Sequence, residues 1–169
     1  MRIGFCGKSG SGKTAAAEMI RERYGATILS FASPLKSVVS QLYPAAGASE
    51  RRQRHQEIGA LLRSYDSTIW VANLLRRLGD SPDAVVDDVR YPNEVVALQD
   101  CGFTIIRIIR PPGPWSLMGE EAVHESETAL DAYPIPITCP NNGTLLALQD
   151  AVIHTVAQSH LAPYEVPRA

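Results

Sequence analysis

Apolar residues arrive along this chain in short runs separated by amphipathic stretches, and that alternation predicts strands and helices in turn. Arg2-Ile-Gly-Phe-Cys6 reads as a first buried strand, residues 7–12 as a glycine/serine loop, and Lys13 to Tyr24 as a helix. Thr27 to Phe31 predicts a second strand. Ser33-Pro34 then offers a cap with proline in the first turn, opening a helix to Leu42. Between Glu50 and Leu78 two apolar faces recur at helical spacing, Ile58/Leu61/Leu62 and Ile69/Val71/Leu74/Leu75/Leu78, with Asp66 or Ser67 as a cap between two helices. Ala84-Val85-Val86, closed by Asp87-Asp88, has the form of a central parallel strand whose C-terminal end faces a site. Tyr91-Pro92-Asn93-Glu94 opens a short helix to about Gln99. Phe103 to Ile109 is a β-branched strand, stopped by Pro111-Pro112-Gly113-Pro114. A helix is expected around Glu120 to Tyr133, a last strand over Ile135 to Thr138, and a closing helix from Leu145 to Ser159, before a loosely held tail at 163–169.

Five strands alternating with helices predict one doubly wound domain over residues 1–169: three layers, α/β/α, on a five-stranded parallel sheet. Ligands of such a sheet bind at the C-terminal strand edge, which places the loops after residues 6, 31, 88 and 110 around the site. Within the domain, residues 33–80 form a helical insertion for an acceptor and residues 110–133 a short lid. A hydrophobic content of 45% in 169 residues suits a single core. The formal charge of −2 gives no reason to expect a stable nucleic-acid partner or an anionic membrane. Cys6, Cys101 and Cys139 stand far apart and suggest neither a zinc site nor a disulfide framework, so a reduced, cytoplasmic setting is expected. The N-terminus lacks the apolar core of a signal peptide, and no run is long enough to span a bilayer.

Gly7-Lys8-Ser9-Gly10-Ser11-Gly12-Lys13-Thr14 matches G-x-x-x-x-G-K-[ST] in full, between a predicted strand and a predicted helix. Such a loop turns its backbone N–H groups inward around phosphates, aided by the helix dipole. Lys13 then reaches the β- and γ-phosphates, and the Thr14 hydroxyl completes the shell of Mg²⁺. The fold is thus expected to be of the P-loop NTPase type, with ATP and Mg²⁺ as cofactors. The base-reading Asn-Lys-x-Asp of switch GTPases is absent from the sequence.

A small kinase must hold a second anion in line with the γ-phosphate and exclude water, which calls for arginines on several loops and a mobile cover. Lys36, Arg63 and Arg90 follow predicted strand ends and helix ends, and Arg110 opens the lid. Asp88 ends a buried strand, where a carboxylate is costly unless a cation or metal pairs with it. It is assigned with Thr14 to the magnesium shell, Asp87 being the other possibility. Lys13, Arg63, Asp88, Arg90 and Arg110 form the expected catalytic set.

Phe31-Ala32-Ser33-Pro34-Leu35-Lys36, the spacing Gln56…Gly59…Arg63…Asp66…Trp70, Asp88-Val89-Arg90-Tyr91-Pro92-Asn93-Glu94 and His124-Glu125-Ser126-Glu127 together resemble the deoxynucleoside monophosphate kinases of tailed bacteriophages. With the phosphate loop, the resemblance spans about residues 3 to 127. It implies ATP and magnesium as donor, a dNMP as acceptor, dNDP as product, and a homodimer. Ser33 and Lys36 would flank the acceptor, Arg63 and Arg90 would bind its phosphate, and Trp70 would wall its base pocket unless it is a plain core residue. Asn93 and Glu94 belong to the same segment, as binding residues or as helix caps. His124 and Glu127 match the lid motif. Two other readings stay open: a kinase of another phosphorylated small molecule, of the phosphomevalonate or dephospho-coenzyme A type, and a non-enzymatic ATP-dependent binding module.

Overall fold

The computed structural model describes residues 1–114, 116 and 119–161. Its strands are β1 (Arg2–Cys6), β2 (Thr27–Leu29), β3 (Ala84–Val89), β4 (Thr104–Ile109) and β5 (Ile137–Pro140). They form one sheet in the order β2-β3-β1-β4-β5, and every neighbouring pair is parallel. Helices α1 (Lys13–Tyr24) and α8 (Leu145–Leu161) cover one face, where Ala16, Ala17, Ile20, Leu148, Val152 and Val156 pack on Ile3, Phe5, Val85, Ile106 and Ile108. The other face carries α2 (Ser33–Leu42), α4 (Ile69–Leu78) and α5 (Pro92–Asp100), whose Leu35, Val39, Leu74, Val95 and Leu98 cover Leu29, Val86, Val89 and Ile105. Helix α3 (Ala48–Tyr65) lies on α2 and buries only Gly59 completely. A Cβ there would come within 3.1 Å of Leu35 Cδ2, so the small residue sets the α2–α3 approach. Leu61 and Tyr65 stay exposed, Tyr65 by 82%.

Strand β3 contains an irregularity that matters for the site. Gly4 of β1 pairs with Val86, but Cys6 pairs with Val89, so β3 spends three residues where β1 spends two. Val86 and Val89 consequently share one core cluster although they stand three positions apart. Asp87 and Asp88 are the pair that the step re-aims, as bulges do beside functional sites.

Several boundaries differ from the sequence expectation. Strand β2 ends at Leu29, because Ser30 to Ala32 turn away to bind the Asp88 carboxylate. Ala32 rather than Ser33 precedes α2, with Ser33 inside the first turn. Thr68 precedes α4, and its amide and hydroxyl both donate to Asp66 Oδ1 at 2.8 and 2.7 Å. The helix expected around Glu120 to Tyr133 is two single turns, α6 (Glu120–Val123) and α7 (Glu125–Thr128). Extended His124, at ψ 142°, breaks the run, and its ring Nδ1 accepts the Ser126 amide. The tail expectation for 163–169, and part of the lid, lie outside the described residues. No described helix is long and apolar enough to cross a membrane.

The phosphate loop is fixed from two sides. Gly7 has φ +134°, and a Cβ there would lie 2.4 Å from the Ile108 carbonyl, so the loop passes against β4 as only glycine permits. Just past β5, the neighbour of β4, buried Asn141 donates its amide Nδ2 to Ser11 O at 2.8 Å, while its own N–H donates to Ile109 O at 2.8 Å. Asn141→Ala leaves the Ser11 carbonyl without this donor. It should lower unfolding free energy by about 1–3 kcal/mol in chemical denaturation and weaken nucleotide binding; an unchanged midpoint would show that the contact is dispensable.

Candidate functional site

The eight residues from Gly7 to Thr14 turn from β1 into α1. Lys13 curls over this loop and donates to the carbonyls of Gly7 and Lys8, both at 2.8 Å. Burial, helped by the charge of Arg90, lowers its pKa to about 8. The next residue, Thr14, donates its hydroxyl to Asp87 Oδ2 at 2.8 Å. Burial, and then the neighbouring Asp88 charge, raise the Asp87 pKa. Arg110, at the end of β4, donates to Gly10 O at 3.0 Å.

The Thr14 hydroxyl and the Asp87 carboxylate are hard oxygen donors side by side, the kind of set that suits Mg²⁺. Among the described residues no group of three or more His, Cys, Asp or Glu could hold a metal by itself. Magnesium at phosphate sites takes only one or two protein oxygens, so the pair is a sufficient fit. The assignment of Asp88 to the metal does not match its placement. Both its oxygens are taken by the β2–α2 loop: Phe31 N–H on Oδ1 at 2.8 Å, with the Ser30 hydroxyl at 2.6 Å and Ala32 N–H at 2.9 Å on Oδ2. Asp88 therefore shapes the floor of the neighbouring cleft.

That cleft, of about 280 Å³, opens between α2, α3, the start of α5 and the lid. Its α3 wall is a stripe at helical spacing, Arg52, His55, Gln56, Gly59, Ala60 and Arg63. Lys36, Arg90, Asp88, Glu94, His124 and Glu127 also line it. Trp70 forms a wall with Phe31 and Leu35; it is 8% exposed and hydrogen-bonds Gly59 O at 3.4 Å, so it is at once a core and a cleft residue. Arg63 stacks 3.8 Å over the Tyr91 ring and faces Glu94 at 3.8 Å.

Glu94 is both a cap and part of the cleft. Its Oε2 accepts the Arg90 and Tyr91 amides at 2.7 and 3.1 Å, closing the start of α5. Burial pushes its pKa up to about 8 against the pull of those donors and of Arg63. Two expected binding residues point elsewhere. Asn93, exposed in the first turn of α5, donates to Ser67 O at 2.9 Å and ties α5 to the α3–α4 turn. Ser33 donates to Ser30 O at 3.1 Å and accepts from Arg77 at 2.9 Å, away from the cleft lining.

The lid segment lies on the phosphate loop. Lys8 Nζ donates to Glu127 O at 2.6 Å and to Asp131 at 2.5 Å. Buried Glu127 accepts the Ser9 amide at 2.8 Å and the guanidinium of Arg90, which also donates to Ser126 O at 3.0 Å. His124 lines the cleft beside them. Arg52, His55 and Asn141 are site residues not expected from the sequence, whereas Asp87 was expected only as the alternative to Asp88. For the α3 pair a signal existed: polar residues recur at 52, 55, 56 and 63, the period of an inward helix face.

No family model matches the chain. It is 28% identical over 191 residues to a protein of Acanthamoeba polyphaga mimivirus named "Putative deoxynucleotide monophosphate kinase", covering 91% of this chain and 95% of that one. It is 29% identical over 160 residues to uncharacterized protein ORF77 of Ictalurid herpesvirus 1 (strain Auburn), covering 89% of this chain and 68% of that one. Both relatives are viral. Among solved structures, shikimate kinase from Aquifex aeolicus superposes with a TM-score of 0.58 at 12% identity, over 96% of this chain and 100% of that one. At that identity the likeness is one of fold: a three-layer α/β/α sheet shared with P-loop kinases.

Lys13 gives the site a pH signature. Phosphates favour its ammonium form, so below pH 8 the charge is already present and this group leaves affinity flat. Above about 8, binding must recover a proton, and affinity should fall towards about tenfold per pH unit. Calorimetric titration of Mg-ADP from pH 7 to 9.5 should show that break with proton uptake at the alkaline end. A flat profile would place the Lys13 pKa well above the range.

Proposed function

We propose that the protein is an ATP-dependent deoxynucleoside monophosphate kinase, giving dNDP and ADP. The observation that carries this reading is the cleft beside the phosphate loop. There Arg52, Arg63, Arg90 and Lys36 face Asp88, Glu94 and Glu127, a cationic excess that the raised pKa of Glu94 enlarges, and an aromatic and apolar wall adjoins them. A phosphate suits the cationic part and a flat base suits the wall of Trp70, Phe31 and Leu35. His55 and Gln56 add uncharged hydrogen-bonding groups. Burial, then Lys36 and Arg51, lower the His55 pKa and keep the imidazole neutral, and its Nε2 is buried with no hydrogen-bond partner among the described residues. The name of the mimivirus relative supports the same substrate class.

In this reading the phosphate loop and Lys13 hold the donor's β- and γ-phosphates, with Thr14 and Asp87 as the protein's ligands to Mg²⁺. When bound, that ion neutralises charge on the donor phosphates. Arg63, fixed by Glu94 and the Tyr91 ring, and Arg90 orient the acceptor phosphate. One of its oxygens bonds to the γ-phosphorus as the bond to the β–γ bridging oxygen breaks, and that electron pair leaves with ADP. A dianionic acceptor surrenders no proton, so no general base is needed. Arg110, on the loop carbonyl of Gly10, is placed to clamp the donor, and the lid excludes water.

Coupled ADP-release assays over the dNMPs, with phosphomevalonate and dephospho-coenzyme A alongside, test the acceptor; no turnover with any dNMP at millimolar concentration would end this reading. A pure binding module would show no acceptor-stimulated ADP formation at all. Arg90→Ala should lower turnover at least about hundredfold while ADP affinity changes little. Asp87→Asn should raise the magnesium requirement, whereas Asp88→Asn should chiefly raise KM for the acceptor. An inverted pattern would return the metal to Asp88.

A further inference from the structure

Three elements remote in sequence meet at the carboxylate of Glu127. Its Oε2 accepts the Ser9 backbone N–H of the phosphate loop at 2.8 Å. Its Oε1 accepts from Arg90, beyond β3, and lies 3.6 Å from Nη2 of Arg52 on α3. The side chain is only 3% exposed. Burial disfavours its charge, but the charge of Arg90 and the hydrogen bonds from Arg90 and Ser9 outweigh that and hold its pKa below the usual glutamate value.

A buried structural ion pair needs one good partner, yet here two guanidinium groups from opposite walls converge on a single oxygen. The other oxygen takes an amide of the loop whose backbone serves the β- and γ-phosphates. A planar anion with oxygens served by a loop amide on one side and by arginines on the other is also a description of a phosphoryl group between donor and acceptor. Lys13 is close enough for its pKa to be raised by Glu127, so the same point lies within the field of the phosphate-loop lysine. Arg52 and Arg90 both line the acceptor cleft, so their convergence point sits on the boundary between the two substrates.

We propose that Glu127 holds the seat of the transferring phosphoryl group, and that Arg52, paired with Arg90, grips that group and is a catalytic residue. The transfer rests on the kinase reading above; the seat itself requires only that the γ-phosphate of ATP reach it. Glu127 then yields its place to the γ-phosphate, and ADP, one phosphoryl shorter, leaves Glu127 where it is. The lid segment therefore reports which nucleotide is bound. The Lys8 contacts to Glu127 O and Asp131 hold the segment over the loop while the carboxylate exchanges.

The test compares affinities for ADP and for the non-hydrolysable β,γ-imido analogue of ATP by calorimetry, with magnesium and no acceptor. Glu127→Gln removes the competing charge and should tighten the analogue about fivefold or more, leaving ADP within about twofold. Arg52→Gln should weaken the analogue by a similar factor, spare ADP, and lower dNMP turnover about hundredfold. Arg52→Lys, which keeps the charge and loses the planar fork, takes its place if Arg52→Gln does not fold. Equal changes for both nucleotides, or weaker analogue binding in Glu127→Gln, would make Glu127 a structural brace and overturn the seat. An Arg52→Gln protein with normal affinities and turnover would overturn the role of Arg52. If the wild-type protein phosphorylates no dNMP while both affinity ratios shift as stated, the seat stands and only the acceptor assignment falls.

Discussion

One extra residue in β3, set against β1, divides the labour of two adjacent carboxylates. Without the step, Val86 and Val89 could not both face the α2, α4 and α5 core, and the polar pair between them would be spaced by simple alternation. With it, Asp87 reaches Thr14 at the first turn of α1 while Asp88 closes on three donors from the β2–α2 loop. One carboxylate thus adjoins the phosphate loop and the other the neighbouring cleft, the donor and acceptor sides of the proposed reaction. The two halves of the site are built from neighbouring residues of one strand, which fixes their separation more tightly than any loop would.

Charge balance around the cleft follows the same logic. An arginine meant for a phosphate must be held in place without being neutralised for good. Arg63 achieves this by stacking on Tyr91 and by facing, at 3.8 Å, one oxygen of a glutamate whose other oxygen is engaged with the Arg90 and Tyr91 amides. Glu94 is costly to ionise where it lies, so it orients the backbone of the β3–α5 turn more than it neutralises Arg63. Asp88 likewise spends its oxygens on loop donors. Of the three cleft carboxylates, Glu127 alone puts its charge directly on arginines by a close hydrogen bond.

The central architecture was legible in the sequence because it rests on local signals. The phosphate-loop motif, helix α1 from Lys13 to Tyr24, and the apolar run ending in two aspartates were each read with nearly the observed limits. Which aspartate serves the metal was not legible, since the bulge that aims Asp87 and Asp88 exists only in the pairing of β3 with β1. The lid misled for a related reason: Glu120 to Tyr133 has helical composition, but the ring of His124 captures a backbone amide and stops the helix. Asn93 and Ser33 were assigned by resemblance to a segment, and a segment motif does not distinguish residues that face the ligand from those that brace the loop. Arg52 and His55 were missed because polar residues on a helix usually face water, and only the packing of α3 over the cleft turns that stripe inward.

The two sides of the site are consequently prepared to different degrees. The acceptor side is braced by groups that do not compete with a phosphate: Glu94 through backbone amides, Asp88 through the β2–α2 loop, Tyr91 through its ring. The donor side is held by a lid carboxylate that does compete, on the very amide and arginines a γ-phosphate would use. A carboxylate has one negative charge and two oxygens, whereas the terminal phosphate of ATP brings more of both, so the exchange favours the phosphate only when the whole triphosphate is anchored in the loop. Water carries no charge to displace the carboxylate, and an acceptor that reaches the cleft alone brings its dianionic phosphate to Arg63 without an anchor in the loop. If Glu127 yields only to an anchored γ-phosphate, the arginines that accelerate transfer become available at the moment a phosphoryl group is present to receive them.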